Sequence, residues 1–479
     1  MLNEILVELP LYKKLHIQYL VLDENQPRTF YNFIFLICFR EMEVQIISKE
    51  IVKPSSATPQ HLSTYNLSLL DQLAPQIYVP IILFYSASRE NSYRKYHHLK
   101  TSLSKTLTHF SPFAGRIKDG FSIDCNDEGA SFIEANVAGE ISMTLEESDV
   151  HKLEKLLPCN PYDVSSEISS RVLLAVQVNY FACGGMALSA CIWHPIGDAS
   201  ALASFLTSWA AISRGATDDI EGVISDCTSL FPPQDVSSFS LRNFFNEDLL
   251  SKITMKRFLF DSSKIAALRE EIGNSSCLDP PTRFEAVAAL IWKAVMAETE
   301  EDQNGNETKA NEINVAIIAV DLRKRMIPQL PKLSIGNIFQ VTKAICSKND
   351  EKLVDYNALA TKLHESIGMV NNDFVRMIHG GGAYFQFLRK ESEKHGENSN
   401  LTKLFGFSSW CRFPFYEVDF GWGKPTWVAT PLKFHNVAIF LDSKDGEGIE
   451  AWVSLSEEHM MKFEQNPGIC AYSSFKPST

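Results

Sequence analysis

One short string in this 479-residue chain carries residue types suited to acid–base chemistry, His194-Pro195-Ile196-Gly197-Asp198. A neutral imidazole, with an unperturbed pKa of about 6.5, can take a proton from a hydroxyl or an amine at neutral pH. His194 falls where a strand pattern, Ala187 to Trp193, meets a helical pattern that begins after Asp198. At such a junction a side chain projects from a rigid element into open space. Pro195 and Gly197 predict a tight bend, so Asp198 need not lie one helical turn below His194. Two plainer readings compete. His194 can be a core histidine with both nitrogens satisfied, and Asp198 can be the N-cap of the following helix. Taken alone, the string favours the plainer readings, because caps are commoner than catalytic sites. No third ligand stands at a spacing that would make a metal site.

A second region weighs against them. Ser408 to Pro425 (SSWCRFPFYEVDFGWGKP) is dense in aromatics and glycine. Its Asp419-Phe420-Gly421 mimics a kinase metal-binding triplet. No glycine-rich phosphate loop, V-A-I-K or H-R-D string accompanies it, which removes that reading. His379-Gly380-Gly381-Gly382 looks like the oxyanion strip of lipases. The G-x-S-x-G elbow that should follow such a strip is absent from the sequence, so a glycine loop is the better account.

The elements that must position His194 are legible around it. Arg171 to Tyr180 and Ala187 to Trp193 are two β-type runs about Cys183-Gly184-Gly185-Met186, which predicts a hairpin. After Asp198, Leu202, Phe205, Leu206 and Trp209 share one helical face and Gly215 is the stop. Upstream, Glu43 to Lys53 alternates like a strand, and leucines at 99, 103 and 107 predict an amphipathic helix. Downstream come a strand over Thr254 to Phe260, a helix start at Asp261, and a capping box at Thr282 and Glu285. The apolar run INVAIIAV follows a polar insert, 299 to 312, and reads as a buried strand.

HPIGD followed far downstream by DFGWG resembles the paired signature of the plant BAHD acyltransferases. The resemblance extends over nearly everything from Met42 onward. Supporting strings are LSKTLTHFSPFAGRI (103–117), PTRFEAVAALIWK (281–293), and VDLRKRMIPQLP with SIGN (320–337). The nearest flavour is the branch of alcohol and alkaloid acetyltransferases that contains vinorine synthase. Two departures stand out: Pro195 occupies a place where many members carry Lys, and residues 1–41 have no counterpart. The resemblance implies an α/β fold of two similar-sized domains, of the chloramphenicol acetyltransferase type, with a channel between them.

Acyl-CoA, acetyl-CoA by the branch, then enters as co-substrate from one face, and a small-molecule acceptor from the other. No cofactor is bound permanently. His194 is implied as the base that deprotonates the acceptor hydroxyl or amine, with no acyl-enzyme. Asp198 is implied to pair with Arg323 and to support the loop rather than relay charge. Trp410 is the implied oxyanion donor and Ser408 an acceptor-pocket residue. Asp419, Phe420, Gly421, Trp422 and Gly423 are implied to fix domain packing, away from the chemistry. Two further classes stay open: a catalytically silent acyl-CoA- or metabolite-binding member of the fold, and an esterase-type hydrolase.

Bulk properties narrow the field. Lys+Arg 45 against Asp+Glu 58 gives a net charge of -13, the wrong balance for a nucleic-acid binder. The ten cysteines include no C-x-x-C pair, and read as buried apolar residues in a reducing compartment. The apolar stretch Phe30 to Phe39 is too short to span a bilayer, lacks a basic lead and ends in Arg40-Glu41. A cytoplasmic monomer without membrane attachment is the expectation, in which the N-x-S/T sequons at Asn66, Asn274, Asn306 and Asn400 are coincidences. The domain reading is an N-terminal extension over 1–41, a domain with HPIGD over 42–230, a linker over 231–250, and a domain with DFGWG over 251–479. Met42 looks like the usual family start. The acceptor, the acyl chain preference and the choice between O- and N-transfer are not written in the sequence.

Overall fold

The fold was analysed as a computed structural model. It describes residues 42–474 except 88–91, 143–149, 164–166, 217–222, 224–226, 237–249, 274–279, 298–312, 332, 348–354, 380–382, 384–385 and 387–401. The extension over 1–41, most of the 231–250 linker, the 299–312 insert and Gly380 to Gly382 therefore lie outside the described residues.

The first half contributes β1 (Glu43–Val52), β2 (Tyr78–Tyr85), β3 (Ala130–Ala138), β4 (Leu174–Phe181) and β5 (Met186–Trp193). The second contributes β6 (Ile253–Phe260), β7 (Ile313–Asp321), β8 (Phe339–Ser347), β9 (Thr402–Ser409), β10 (Trp427–Ala429), β11 (Val437–Asp442) and β12 (Ile449–Ser456). They form two mixed six-stranded sheets, ordered β1-β3-β4-β5-β2-β10 and β8-β7-β9-β11-β12-β6. The predicted hairpin is β4–β5, antiparallel, with Leu174 opposite Ile192 and Tyr180 opposite Met186. Every residue of β2 and β5 is buried. That burial on both faces is why their sequences read as near-continuous apolar runs, broken only by Ser189, instead of alternating ones.

Helices α1 (Ser92–His109) and α2 (Ala199–Ser213) pack on each other beside the first sheet. Leu202, Phe205, Leu206 and Trp209 are all buried, and Gly215 ends the α2 segment at φ +85°. Against the second sheet lie α3 (Arg283–Ala297) and α4 (Tyr356–Met369). The capping box before α3 forms as predicted, Thr282 N–H donating to Glu285 Oε2 at 2.6 Å and Glu285 N–H to Thr282 Oγ1 at 3.2 Å. Alternation along β7 divides labour within one strand. Ala316, Ile318 and Val320 enter the apolar core under α3 and α4, while Ala319 and Asp321 face the other way, into a cavity.

β10 crosses between the halves. It belongs to the second half by sequence, yet it pairs antiparallel with β2, Trp427 opposite Phe84. Its indole N–H donates to Glu450 Oε2 at 2.9 Å, and Glu450 is paired with Arg257 at 3.2 Å. Both charges are buried, and burial raises the Glu450 pKa. The Arg257 guanidinium lies 5.4 Å over the Trp427 ring. One aromatic side chain thus fastens the first sheet to β12 and β6 of the second. Among the described residues, no helix is long and apolar enough to cross a membrane.

Candidate active site

β5 ends at Trp193, and the chain makes one 3-10 turn over His194–Ile196. Pro195 fits there because the first turn of a helix leaves its N–H groups unbonded. The main chain of His194 is held at both ends. Its N–H donates to the Ile77 carbonyl at 2.8 Å, and its carbonyl accepts from Asn337 Nδ2, also at 2.8 Å. The imidazole borders a cavity of about 100 Å³ with walls from both halves, among them Val79 of β2, Ala319 of β7, Phe339 of β8 and Ser408 of β9. Burial lowers the His194 pKa below the ordinary histidine value, against smaller upward effects from its own carbonyl, Asp198 and Asn337. At neutral pH the ring is therefore uncharged and can accept a proton. Its Nδ1 is buried without a hydrogen bond of good geometry, and so is Asn337 Oδ1.

Asp198 does two jobs at once. As N-cap of α2, its Oδ1 accepts from the Ala201 N–H at 2.9 Å. The same carboxylate receives Arg323 through Nη1 at 2.9 Å and Nη2 at 3.0 Å, and Oδ2 also accepts from the Ile338 N–H at 3.0 Å. The capping reading and the ion-pair reading are both true of this residue. Both partners are buried. Burial works against the Arg323 charge, but Asp198 and then Asp321 raise its pKa still further above its usual high value. Arg323 Nη2 also donates to the carbonyls of Ser334 and Gly336 at 3.2 Å each. The loop from Ser334 to Ile338 is thereby sewn to the His194 bend, with Gly197 and Gly336 bridged in parallel. Gly336 sits at φ +106°, and a Cβ there would lie 3.1 Å from Tyr65 Oη and 3.2 Å from Asp71 Oδ1. Only glycine suits that place.

Sequence reading missed Asp71 and the role of Asn337. Asp71 is buried and accepts from the Asn337 N–H at 2.7 Å, from Asn337 Nδ2 at 3.0 Å, and from Ser68 Oγ at 2.8 Å. Burial raises its pKa, and these donors oppose the rise. Its chain Asp71–Asn337–His194 fixes the main chain of the bend. The available signal was a Gly-Asn step in the SIGN string, a pattern that tolerates a tight turn beside a polar anchor.

Ser408, Ser409 and Trp410 line the same cavity as His194. The Trp410 indole N–H donates to Ser408 Oγ at 3.1 Å. Cys411 follows next in the chain, and burial pushes its pKa up to about 12, so it stays a thiol. Asp419 to Gly423 lie elsewhere. Asp419 Oδ1 accepts from the Gly421 and Gly423 N–H groups at 2.8 and 3.0 Å, and its carbonyl accepts from Arg214. Phe420 meets Trp209 of α2 edge-on at 4.9 Å, and Trp422 stacks on Phe420 at 5.6 Å. None of the five borders the cavity.

Known proteins resemble this chain over most of its length. The model of the Transferase family matches residues 42–469. An epi-neemfruitin B synthase of Melia azedarach is 46% identical, spanning 91% of this chain and 100% of that protein. A limonoid 1-O-acetyltransferase of Citrus sinensis is 44% identical with the same coverage, and the stemmadenine O-acetyltransferase of Catharanthus roseus is 36% identical over 87% of this chain and 95% of its own. Among solved structures, vinorine synthase superposes with a TM-score of 0.75 at 33% identity, over 91% of this chain and 99% of that one. TRI101 of F. sporotrichioides, solved with coenzyme A and T-2, shares the fold at a TM-score of 0.69 and 19% identity, over 86% and 99%. The fold is α/β with two domains, the enzyme class is acyltransferase, and the chain belongs to the transferase family that its two motifs resemble, the BAHD acyltransferases.

Proposed function

We propose that this enzyme transfers an acetyl group from acetyl-CoA to a hydroxyl of a polycyclic, oxygenated plant metabolite of the limonoid class. The class is supported by the two relatives above 43% identity already described, one a limonoid 1-O-acetyltransferase and the other an epi-neemfruitin B synthase. CoA as the donor is supported by the coenzyme A held in the TRI101 structures of the same fold.

The observation that carries the mechanism is the neutral, backbone-clamped imidazole of His194 in a cavity built by both halves. In this reading His194 Nε2 removes the acceptor proton as the oxygen attacks the thioester carbonyl. The tetrahedral oxyanion collapses, the carbon–sulfur bond breaks, and the imidazolium returns its proton to the CoA thiolate. In this reading the Nδ1–H of His194 is directed to a backbone or side-chain oxygen beside it, Asn337 among the candidates, which leaves Nε2 free. Asp198 and Arg323 hold the bend and do not touch the reacting atoms. The Trp410 N–H stabilises the oxyanion by exchanging its bond to Ser408 Oγ for one to substrate, and Ser408 lines the acceptor side. We assign the division between domains to residues 231–250, and take the working form to be a cytoplasmic monomer. The deciding experiment incubates the enzyme with acetyl-CoA and a panel of limonoid and alkaloid alcohols, read by mass. A product heavier by one acetyl group from limonoids supports the reading. Acetylation of alkaloids alone would replace the substrate class, and no transfer to any alcohol would remove the function.

A further inference from the structure

Two carboxylates stand among the described residues that line the transfer cavity, Asp198 and Asp321. Asp198 has no oxygen to spare. Its Oδ1 accepts from the Ala201 N–H and Arg323 Nη2, and its Oδ2 from Arg323 Nη1 and the Ile338 N–H. Asp321 is committed on one side only. Both of its hydrogen bonds, from the Arg323 N–H and from Arg323 Nη1, fall on Oδ1, each at 3.2 Å. Its Oδ2 accepts none from the described residues, and the side chain is 32% exposed.

The strand dictates where that oxygen stands. Asp321 is the last residue of β7, on the face it shares with Ala319, and it lies opposite Phe339 of β8. The Phe339 ring is 6.4 Å from the ring of His194. One cross-strand neighbour therefore separates Asp321 from the base, in a cavity whose apolar wall includes Val79, Leu432 and Ile439. Burial raises the Asp321 pKa, and the Arg323 guanidinium opposes that rise and favours the ionised form. An ionised carboxylate accepts hydrogen bonds and donates none. Apolar walls separate similar bodies poorly, whereas a polar group left unpaired by the wrong substrate separates them strongly.

We propose that Asp321 is a specificity-determining residue for the acyl acceptor, its Oδ2 accepting a hydrogen bond from a second hydroxyl while the first is presented to His194. The proposal rests on the acetyl-transfer reading and narrows its substrate class to acceptors with at least two hydroxyls, one anchoring and one reacting. On a polycyclic body this also selects position, because the hydroxyl that reacts is the one at a fixed reach from the anchored one.

The test pairs a limonoid diol with its mono-O-methyl ether, made so that the hydroxyl acetylated in the diol stays free. With acetyl-CoA as donor, kcat/KM is measured for each in the wild type and in Asp321→Asn. An ether oxygen accepts hydrogen bonds and cannot donate one. Asparagine keeps a carbonyl oxygen for Arg323 and places an NH₂ donor where Oδ2 was, which the ether oxygen can satisfy. The wild type should favour the diol by roughly ten-fold or more, the scale of a hydrogen bond to a charged group. Asp321→Asn should bring the ratio to about one, with KM for acetyl-CoA unchanged. A purely structural role would lower kcat for both acceptors alike, and a methyl group that only clashed would be refused by the variant too. Equal efficiency in the wild type, a ratio that Asp321→Asn leaves in place, or an effect confined to KM for acetyl-CoA each overturns the assignment and leaves transfer itself standing. Acetylation of neither acceptor by the wild type removes the substrate reading on which the proposal rests, and the proposal with it.

Discussion

Two aspartates in glycine-bearing motifs, Asp198 and Asp419, behave in opposite ways. Asp198 turns its carboxylate outward to Arg323 and the Ile338 N–H, joining chain segments more than a hundred residues apart. Asp419 turns its carboxylate back onto Gly421 and Gly423, closing only its own loop. The first sits under the imidazole, whereas the second is bedded by Phe420 and Trp422 on α2. A motif's residue types do not say whether its acid is a bridge or a local clasp. That is decided by whether a donor from elsewhere in the chain also reaches it, as Arg323 reaches Asp198 beside the capped Ala201 N–H.

The largest effect separating the two regions belongs to His194→Ala, expected to lower kcat by about 10²–10⁴-fold with the melting midpoint nearly unchanged. A variant keeping more than a tenth of wild-type kcat would remove His194 from the mechanism. Asp198→Ala comes next and should combine both losses, since removing one member of a buried ion pair costs about 3–5 kcal/mol. A double-mutant cycle with Arg323→Ala measures the coupling, and a coupling near zero would break the bridge side of the comparison. Phe420→Ala should cost about 3–5 kcal/mol of stability through its cavity, while kcat of the folded fraction at low temperature stays near wild type. A kcat loss matching that of Asp198→Ala would put DFGWG in the chemistry.

The pH profile sharpens the comparison on the His194 side. Protonation disables the base, so kcat/KM should fall as pH drops. Because burial lowers the His194 pKa, the midpoint should lie below about 6.5. Asn337 acts to raise that pKa, so Asn337→Ala should move the midpoint further down, whereas Phe420→Ala should leave it in place. The smallest effect is expected for a chain starting at Met42, which should fold and keep full turnover. An insoluble or inactive truncation would show that residues 1–41 belong to the fold.

Much of the site's frame was legible because local rules suffice for it. The β4–β5 hairpin followed from a Gly-Gly turn between apolar runs, α2 from its face of Leu202, Phe205, Leu206 and Trp209, and the start of α3 from Thr282 and Glu285. Asp198 was legible locally only as a cap. Its pairing with Arg323 came through likeness of motifs, because nothing in the spacing of 198 and 323 dictates contact. Asp71 and Asn337 were opaque for the same reason: their partnership is made by two loops meeting in space. β10 was opaque for another. Three residues carry too little periodicity to announce a strand, and its place in the first sheet is set by Phe84 and Glu450.

That last strand bears on how the protein is made. Five strands of the first sheet are synthesised by residue 193, but the one that covers β2 follows about 230 residues later. At roughly 5–20 residues per second, this interval lasts some tens of seconds. Throughout it, the entirely apolar edge YVPIILFY has no neighbour on one side, and an open edge is a template for pairing with other chains. A transcript cut short before Trp427 would release that edge permanently. β2, which lines the active-site cavity through Val79, is thus covered on that edge only when the C-terminal half has been made.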